Sequence, residues 1–532
     1  MASAHSHTRR WWSQEAHGIR VSGEGTIATL LISSLVIYVT VVYQRRKKLP
    51  PGPWPWPVVG NLAVLAGLPH RNLQNLAAKY GGLMYLQLGQ VPCLVVSTAA
   101  AAKELFRTHD VIFSYRPKRL DHEIISGKSY KSLTSAPYGP YWRQIRRICN
   151  TELFSPAIHA SHVSVRSEEI HSMMKVLLAE SRTEKAIDLK SWLTGVTANN
   201  MTRMLINKRF FGTGVSDQQE KKDFEEIFDH IFAAAGTFFI SDFIPKLRFV
   251  EMLQGKIAKL TAFRKFLHSV IGKIFEVEKH RQRALERGND PIYVPDFVDV
   301  LLNTPLDNGE RLTDREIISI LSSMIGAGTD TTATTVVWAM SELMVNPKIR
   351  KQAQEELDAV VGDSRLVEES DIPNLPFLRT IVKETFRLHA PVPLSLPRCS
   401  EQPCEVAGSQ FPANTRLILN VFAIHRDPIV YENPDSFQPS RFVDHPEVDH
   451  MSGKDFYGLI PFGAGRRMCP GYHLGNVMVS LMLAHLLHSF DWRLPAGVTE
   501  ENLDMSETYK LVGLRKKPLF LIAKPRSPAY LY

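Results

Sequence analysis

The residues best equipped for chemistry lie in one short stretch, Pro461-Phe462-Gly463-Ala464-Gly465-Arg466-Arg467-Met468-Cys469-Pro470-Gly471. Three glycines bracket a single cysteine. Apolar Leu459-Ile460 precede it, and a strongly apolar helical segment over Tyr472–Leu487 follows. A thiol at the start of a helix has its thiolate favoured by the macrodipole and by free backbone N–H groups. Glycines let backbone approach a flat ligand closely. Phe462 can shield the sulfur, and Arg467 can reach a carboxylate on the ligand's rim. The set suits a cysteine thiolate bound axially to haem iron, donating electron density for O–O cleavage. On these residues alone, a buried cysteine in a turn is an equal reading.

Three further groupings carry potential chemistry. Ala327-Gly328-Thr329-Asp330-Thr331-Thr332 falls inside a helix expected over Asp314–Val345, opened by the capping box Thr313-x-x-Glu316 and ended before Pro347. That helix would be about 48 Å long at 1.5 Å per residue. Gly328 and the threonines weaken its ladder locally, because hydroxyls can bond back to carbonyls, and a groove there could accommodate dioxygen. Glu384 and Arg387 share a helix face and can pair; on a surface the pair stabilises little, but buried with Arg441 it forms a bridged cluster. Trp142 and Arg146 also share a face, while Arg143 and Arg147 form a neighbouring stripe, either a solvated run or a face for an acidic redox partner.

Phe462, Gly465, Arg467, Cys469 and Gly471 match the pattern F-x-x-G-x-R-x-C-x-G position for position. In this loop and along nearly its whole length the chain resembles the cytochrome P450 family, and among its members the plant microsomal type. The resemblance implies haem b with Cys469 as axial thiolate, and Gly471 within the cofactor-binding loop. It implies Thr331 donating to the iron-bound oxygen and Asp330 relaying protons. By motif position, Trp142, Arg146, Arg398 and Arg467 address the haem propionates, and Glu384, Arg387 and Arg441 form a structural triad. Ser440 departs from the commoner acidic residue beside that last arginine. The implied activity is monooxygenation of a small molecule. Electrons would come from a separate NADPH–cytochrome P450 reductase, since no NADPH or flavin fingerprint is present.

The wording of Pro391–Arg398 and Ile460–Gly471 is similar to that of flavonoid and phenylpropanoid hydroxylases. Terpenoid hydroxylases share much of it, and a reductase-independent isomerase or dehydratase is a further alternative. By the same resemblance, the expected pocket segments are Phe113–Ser135, Ile206–Thr213, Phe238–Ile244, Met324–Ala327, Leu394–Leu396 and Tyr509–Leu514.

The elements that must position these residues read as mainly α with minor β. The resemblance makes this a P450 fold preceded by one transmembrane helix. A hairpin is expected over Leu83–Leu88 and Val91–Val96. Helices are expected over Ala99–Arg107, Glu168–Ala179, Lys221–Phe232, Leu260–Arg287, Asp314–Met344, Pro347–Val361 and Leu378–His389, with strands near Arg416–Asn420 and Pro518–Ala523.

Thr26–Tyr43 contains no charge, spans about 27 Å as a helix and stops at Arg45-Arg46-Lys47-Lys48, which marks a retained anchor rather than a cleaved signal. The expected organisation is a lumenal tail over 1–25, the anchor over 26–43, a basic and proline-rich hinge over 44–60, and a cytosolic domain over 61–532 at the endoplasmic reticulum membrane. The first fifty residues hold seven basic and two acidic residues, about half of the net +9. Basicity so concentrated is not a nucleic-acid footprint. With 44% hydrophobic residues and five cysteines among 532, the chain is neither disordered nor a disulfide scaffold. Gly127-Lys128-Ser129 lacks the first glycine of a phosphate loop. His159 and His162 read as surface histidines, and Cys399 and Cys404 as free thiols.

Overall fold

The helix expected over Asp314–Val345 has those bounds. Its start is fixed reciprocally: the Thr313 hydroxyl accepts from the Glu316 N–H at 3.4 Å, and the Glu316 carboxylate accepts from the Thr313 N–H at 2.8 Å. Beyond its first turn almost every side chain is buried, as suits a helix apolar on all sides. Leu189–Ile206 and Tyr472–Ser489 pack along it. The molecule is therefore built around this central helix, with the apolar helix after the cysteine loop as its neighbour.

The computed structural model describes residues 23–532 apart from 47, 126–129, 213–218, 220, 228–235, 276–279, 283–294 and 455. Gly127-Lys128-Ser129 lies outside the described residues. The chain divides into two units, 1–50 and 51–532. In the first, helix Gly23–Arg46 includes the expected anchor 26–43. Among the described residues, no helix is long and apolar enough to cross a membrane.

In the second unit, strands Leu83–Leu88 and Val91–Val96 pair antiparallel, in register from Leu83↔Val96 to Leu88↔Val91. Gly89 turns the hairpin at φ +59°, and a Cβ there would sit 2.8 Å from the Phe243 carbonyl oxygen. Val91–Val96 then pairs parallel with Arg416–Leu419, which pairs antiparallel with Arg398–Cys399. That sheet carries Arg398 from a distant part of the sequence to the molecule's centre. A second sheet orders Ile187–Asp188, Phe520–Pro525 and Phe490–Arg493, and the described residues also form two two-stranded ribbons.

The helices Ala99–Thr108, Pro347–Val361 and Pro376–Leu388 lie where expected, and 168–179 falls inside Val163–Ser181. Of the expected Lys221–Phe232, residues 221–227 are helical and 228–232 lie outside the described residues. Of the expected Leu260–Arg287, residues 260–274 lie in helix Lys256–Ile274, a turn falls at Phe275, 280–282 are helical, and 276–279 and 283–287 lie outside the described residues. His159 corrects the surface reading. It is buried, its ring 4.8 Å from that of His473, because the short helix Pro156–Ser161 folds beneath the start of Tyr472–Ser489. Cys399 and Cys404 are free thiols.

Candidate active site

The cysteine loop is shaped by its own backbone. The Cys469 N–H donates to the Phe462 carbonyl at 2.9 Å, and the Met468 N–H to that of Gly465 at 3.0 Å, around a single turn at Gly465–Arg467. Helix Tyr472–Ser489 starts three residues after the cysteine. Burial pushes the Cys469 thiol up, opposed by the Gly471 backbone and by Arg146. A cation bound against the sulfur would favour its thiolate. Phe462 packs edge-on against Phe386, ring centroids 5.2 Å apart.

A cavity of about 480 Å³ opens between this loop and the central helix. Its floor includes Phe462, Arg467, Cys469 and Gly471; facing them stand Gly328, Thr331, Thr332 and Thr335. The Thr331 and Thr332 hydroxyls donate to the carbonyls four residues earlier at 2.7 and 3.1 Å, the backbone-bonded threonines the sequence allowed. Asp330 is not part of the lining. It is buried one position round the helix, its carboxylate 2.9 Å from Lys190 Nζ.

Trp142 and Arg146 both line the cavity, and the Trp142 indole donates to the Leu133 carbonyl at 3.0 Å. Arg467 lies over Trp142 at 4.2 Å and donates to the carbonyls of Ser114 and Ala136 at 2.6 Å each. Burial and the charges of Arg398 and Arg146 bring its pKa down to about 9. Arg398 donates to the Ala464 carbonyl at 2.8 Å, yet its Nε and Nη1 have no hydrogen-bond partner although buried. Burial lowers it to about 10, and Asp110 opposes the shift. Arg116 and Arg146 are lowered by burial with no carboxylate offsetting them. Buried charges without counter-ions are costly. A ligand bearing carboxylates at one edge and a metal above Cys469 fits this donor set, and haem has both.

Glu384 and Arg387, both fully buried, pair through two contacts at 2.7 and 2.8 Å, and Arg441 Nε reaches the same carboxylate at 3.1 Å. Arg387 also donates to the carbonyls of His425, Pro434 and Ser436, so the cluster ties the segment before the cysteine loop to helix Pro376–Leu388. Ser440 leaves that geometry intact. On the neighbouring stripe, Arg147 pairs with Asp307 at 2.8 Å and Arg143 lies 5.8 Å over Tyr138.

Of the expected pocket segments, those around Arg116–Ser135, Met324–Ala327, Ser395–Leu396 and Leu511–Val512 contribute lining. Among the described residues, 206–213 and 238–244 do not: Phe243 and Ile244 pack against the first hairpin instead. Sequence reasoning missed Thr197, Asn200 and Met201, which the packing of Leu189–Ile206 on the central helix brings to the wall, and it missed Asp110, whose carboxylate accepts from the Arg466 N–H in the cysteine loop. It also missed His425, whose Nε2 accepts from the Ile460 N–H at 2.9 Å just ahead of the loop. A lone acid or histidine carries no spacing signal that could have singled these out.

The profile of the family described as Cytochrome P450 matches residues 50–523, and the chain belongs to that family. It is accordingly a monooxygenase whose cofactor is haem with a cysteine thiolate as axial ligand. The chain is 40% identical to a flavonoid 3'-monooxygenase of Petunia hybrida over 512 residues, 95% of this chain and 98% of the relative. It is 39% identical to a flavonoid 3',5'-hydroxylase of Solanum melongena over 515 residues, covering 94% and 98%. A solved zebra fish cytochrome P450 structure with progesterone superposes with a TM-score of 0.72 at 23% identity, covering 86% of this chain and 99% of that one, a likeness of fold.

Proposed function

We propose that the protein hydroxylates flavonoid-type phenolic substrates, with Cys469 as the haem ligand and electrons from NADPH through a separate cytochrome P450 reductase. The observation that carries the haem placement is that Arg146 and Arg467 line the same cavity as Cys469, with Arg398, two of whose buried nitrogens make no hydrogen bond, close enough to Arg467 to lower its pKa. Haem, when bound, supplies activation of dioxygen and transfer of one oxygen atom to the substrate. Cys469 would bind it through the sulfur, Phe462 and Gly471 would frame that sulfur, and Trp142, Arg146, Arg398 and Arg467 would hold its carboxylate edge.

The Thr331 hydroxyl, turned from the Ala327 carbonyl, presents a proton into the cavity. Asp330, released by Lys190, resupplies it. The Glu384–Arg387–Arg441 cluster keeps the cysteine loop at its height. Ile125, Leu133, Phe263, Leu267 and Met324 give apolar walls, and Ser132, Ser135, Ser319, Ser322 and Ser323 place hydroxyls among them. Such a wall suits a flat ring system with several phenolic groups. The sequence similarity to the two flavonoid hydroxylases supports the same substrate class.

In this proposal residues 26–43 anchor the protein in the endoplasmic reticulum membrane, with 1–25 lumenal, 44–60 a basic and proline-rich hinge, and 61–532 the cytosolic domain. Microsomes carrying the protein and a reductase, fed flavonoid and terpenoid panels, test the activity. NADPH-dependent products one oxygen heavier from flavonoids alone support it; terpenoid products, or products formed without NADPH, overturn it.

A further inference from the structure

The cysteine loop rests on a carboxylate that takes no part in the function proposed above. Asp110 lies just beyond helix Ala99–Thr108 and is nine-tenths buried. Both of its oxygens accept from the Arg466 backbone N–H, at 3.2 and 3.0 Å, and one also accepts from Arg466 Nη1 at 3.0 Å. Its other oxygen is 3.6 Å from Arg398 Nη1. The backbone before Arg466 is pressed onto it: Gly465 has φ +69°, and a Cβ there would fall 2.1 Å from Asp110 Oδ1 and 3.0 Å from the Phe106 ring. Arg398 in turn lies 5.0 Å over that same Phe106 ring. One carboxylate thus touches the loop three residues before Cys469 and a buried cation two of whose nitrogens make no hydrogen bond.

We infer that Asp110 is a positioning residue of the haem site: it fixes the height of the cysteine loop through the Arg466 amide and aims the Arg398 guanidinium at the cofactor's carboxylate edge. The inference rests on the reading of Cys469 as the haem ligand. The two tasks are physically separable. The amide contact needs an acceptor oxygen, whereas holding Arg398 among other buried arginines needs a negative charge. Residues that orient metal-site groups from behind typically govern about 10–100-fold in affinity.

Asp110→Asn keeps the shape and one oxygen acceptor but removes the charge; Asp110→Ala removes both. The purified holoenzymes are compared by the rate of haem transfer to excess apomyoglobin, by the share of the thiolate-type band in the reduced, carbon monoxide-bound spectrum, and by circular dichroism. Haem loss about tenfold faster in both variants, with the thiolate band diminished in Asp110→Ala but kept in Asp110→Asn, is the expected result. Wild-type haem loss in Asp110→Asn overturns the charge role, and a wild-type band in Asp110→Ala overturns the loop role. If Asp110→Ala does not fold, Asp110→Asn decides on haem loss alone, and the loop role is then read from Asp110→Glu, which must restore the wild-type band or that role falls. Cys469→Ser, run alongside, separates the two readings: a persisting thiolate band there removes the ligand assignment, whatever the Asp110 variants do.

Discussion

A thiol raised by burial becomes a thiolate only when something positive sits against it, and at Cys469 the neighbouring Arg146 and the Gly471 backbone only partly oppose the shift. Replacing Cys469 with Ser is expected to abolish the thiolate-type spectrum of the reduced, carbon monoxide-bound protein. An unchanged spectrum places the ligand elsewhere. Thr331 presents a different dependence, because its hydroxyl bonds to a carbonyl of its own helix and costs the fold little to lose. In Thr331→Ala, product formation should fall by on the order of 10²-fold while NADPH use persists and peroxide is released. A wild-type ratio of product to NADPH removes the hydroxyl from proton delivery.

Elements hold these side chains through a few buried contacts. Glu384 faces the fully buried Arg387 and the partly buried Arg441, so Glu384→Gln leaves both cations short of their counter-charge. Breaking a buried pair from one side costs about 3–5 kcal/mol. Urea denaturation should show a loss of that order, with haem retention falling as the segment before the loop loosens; a loss under about 1 kcal/mol, the range of exposed pairs, means that the cluster is solvated. The cap of the central helix is a milder test. Thr313 is exposed, and Thr313→Ala should cost about 1 kcal/mol without altering the spectrum.

Acid sensitivity belongs to the whole molecule. Burial lowers His159 and His450 from 6.5 to about 4, and His425 and His485 to about 3. Folded, these rings stay neutral, whereas unfolded chains take up the protons near 6.5. The unfolded state therefore binds more protons below about pH 6.5, and stability falls as pH drops from there to about 4 and, for the lower pair, to about 3. His425 ties this to the site, since protonating its Nε2 forfeits the Ile460 N–H bond. Melting temperature followed between pH 7 and 4 should decline steadily; a flat profile means that the rings are open to water when folded.

The sequence by itself determined what local rules decide. The central helix is bounded by a reciprocal cap and a proline, the first hairpin by a two-residue turn, and the cysteine loop by glycines whose spacing survives any packing. It also offered Glu384 and Arg387 as helix neighbours that can pair, and the family resemblance added Arg441, although their burial was beyond it. Only the tertiary structure decided that Arg398 and Asp110 meet the loop and that Lys190 holds Asp330. It also decided that His159 is buried and that residues 238–244 cover the first hairpin rather than the cavity. These contacts join residues dozens to hundreds of positions apart. What selects them is shared exclusion of water and the pairing of charges inside it, and neither leaves a periodic trace along a single chain.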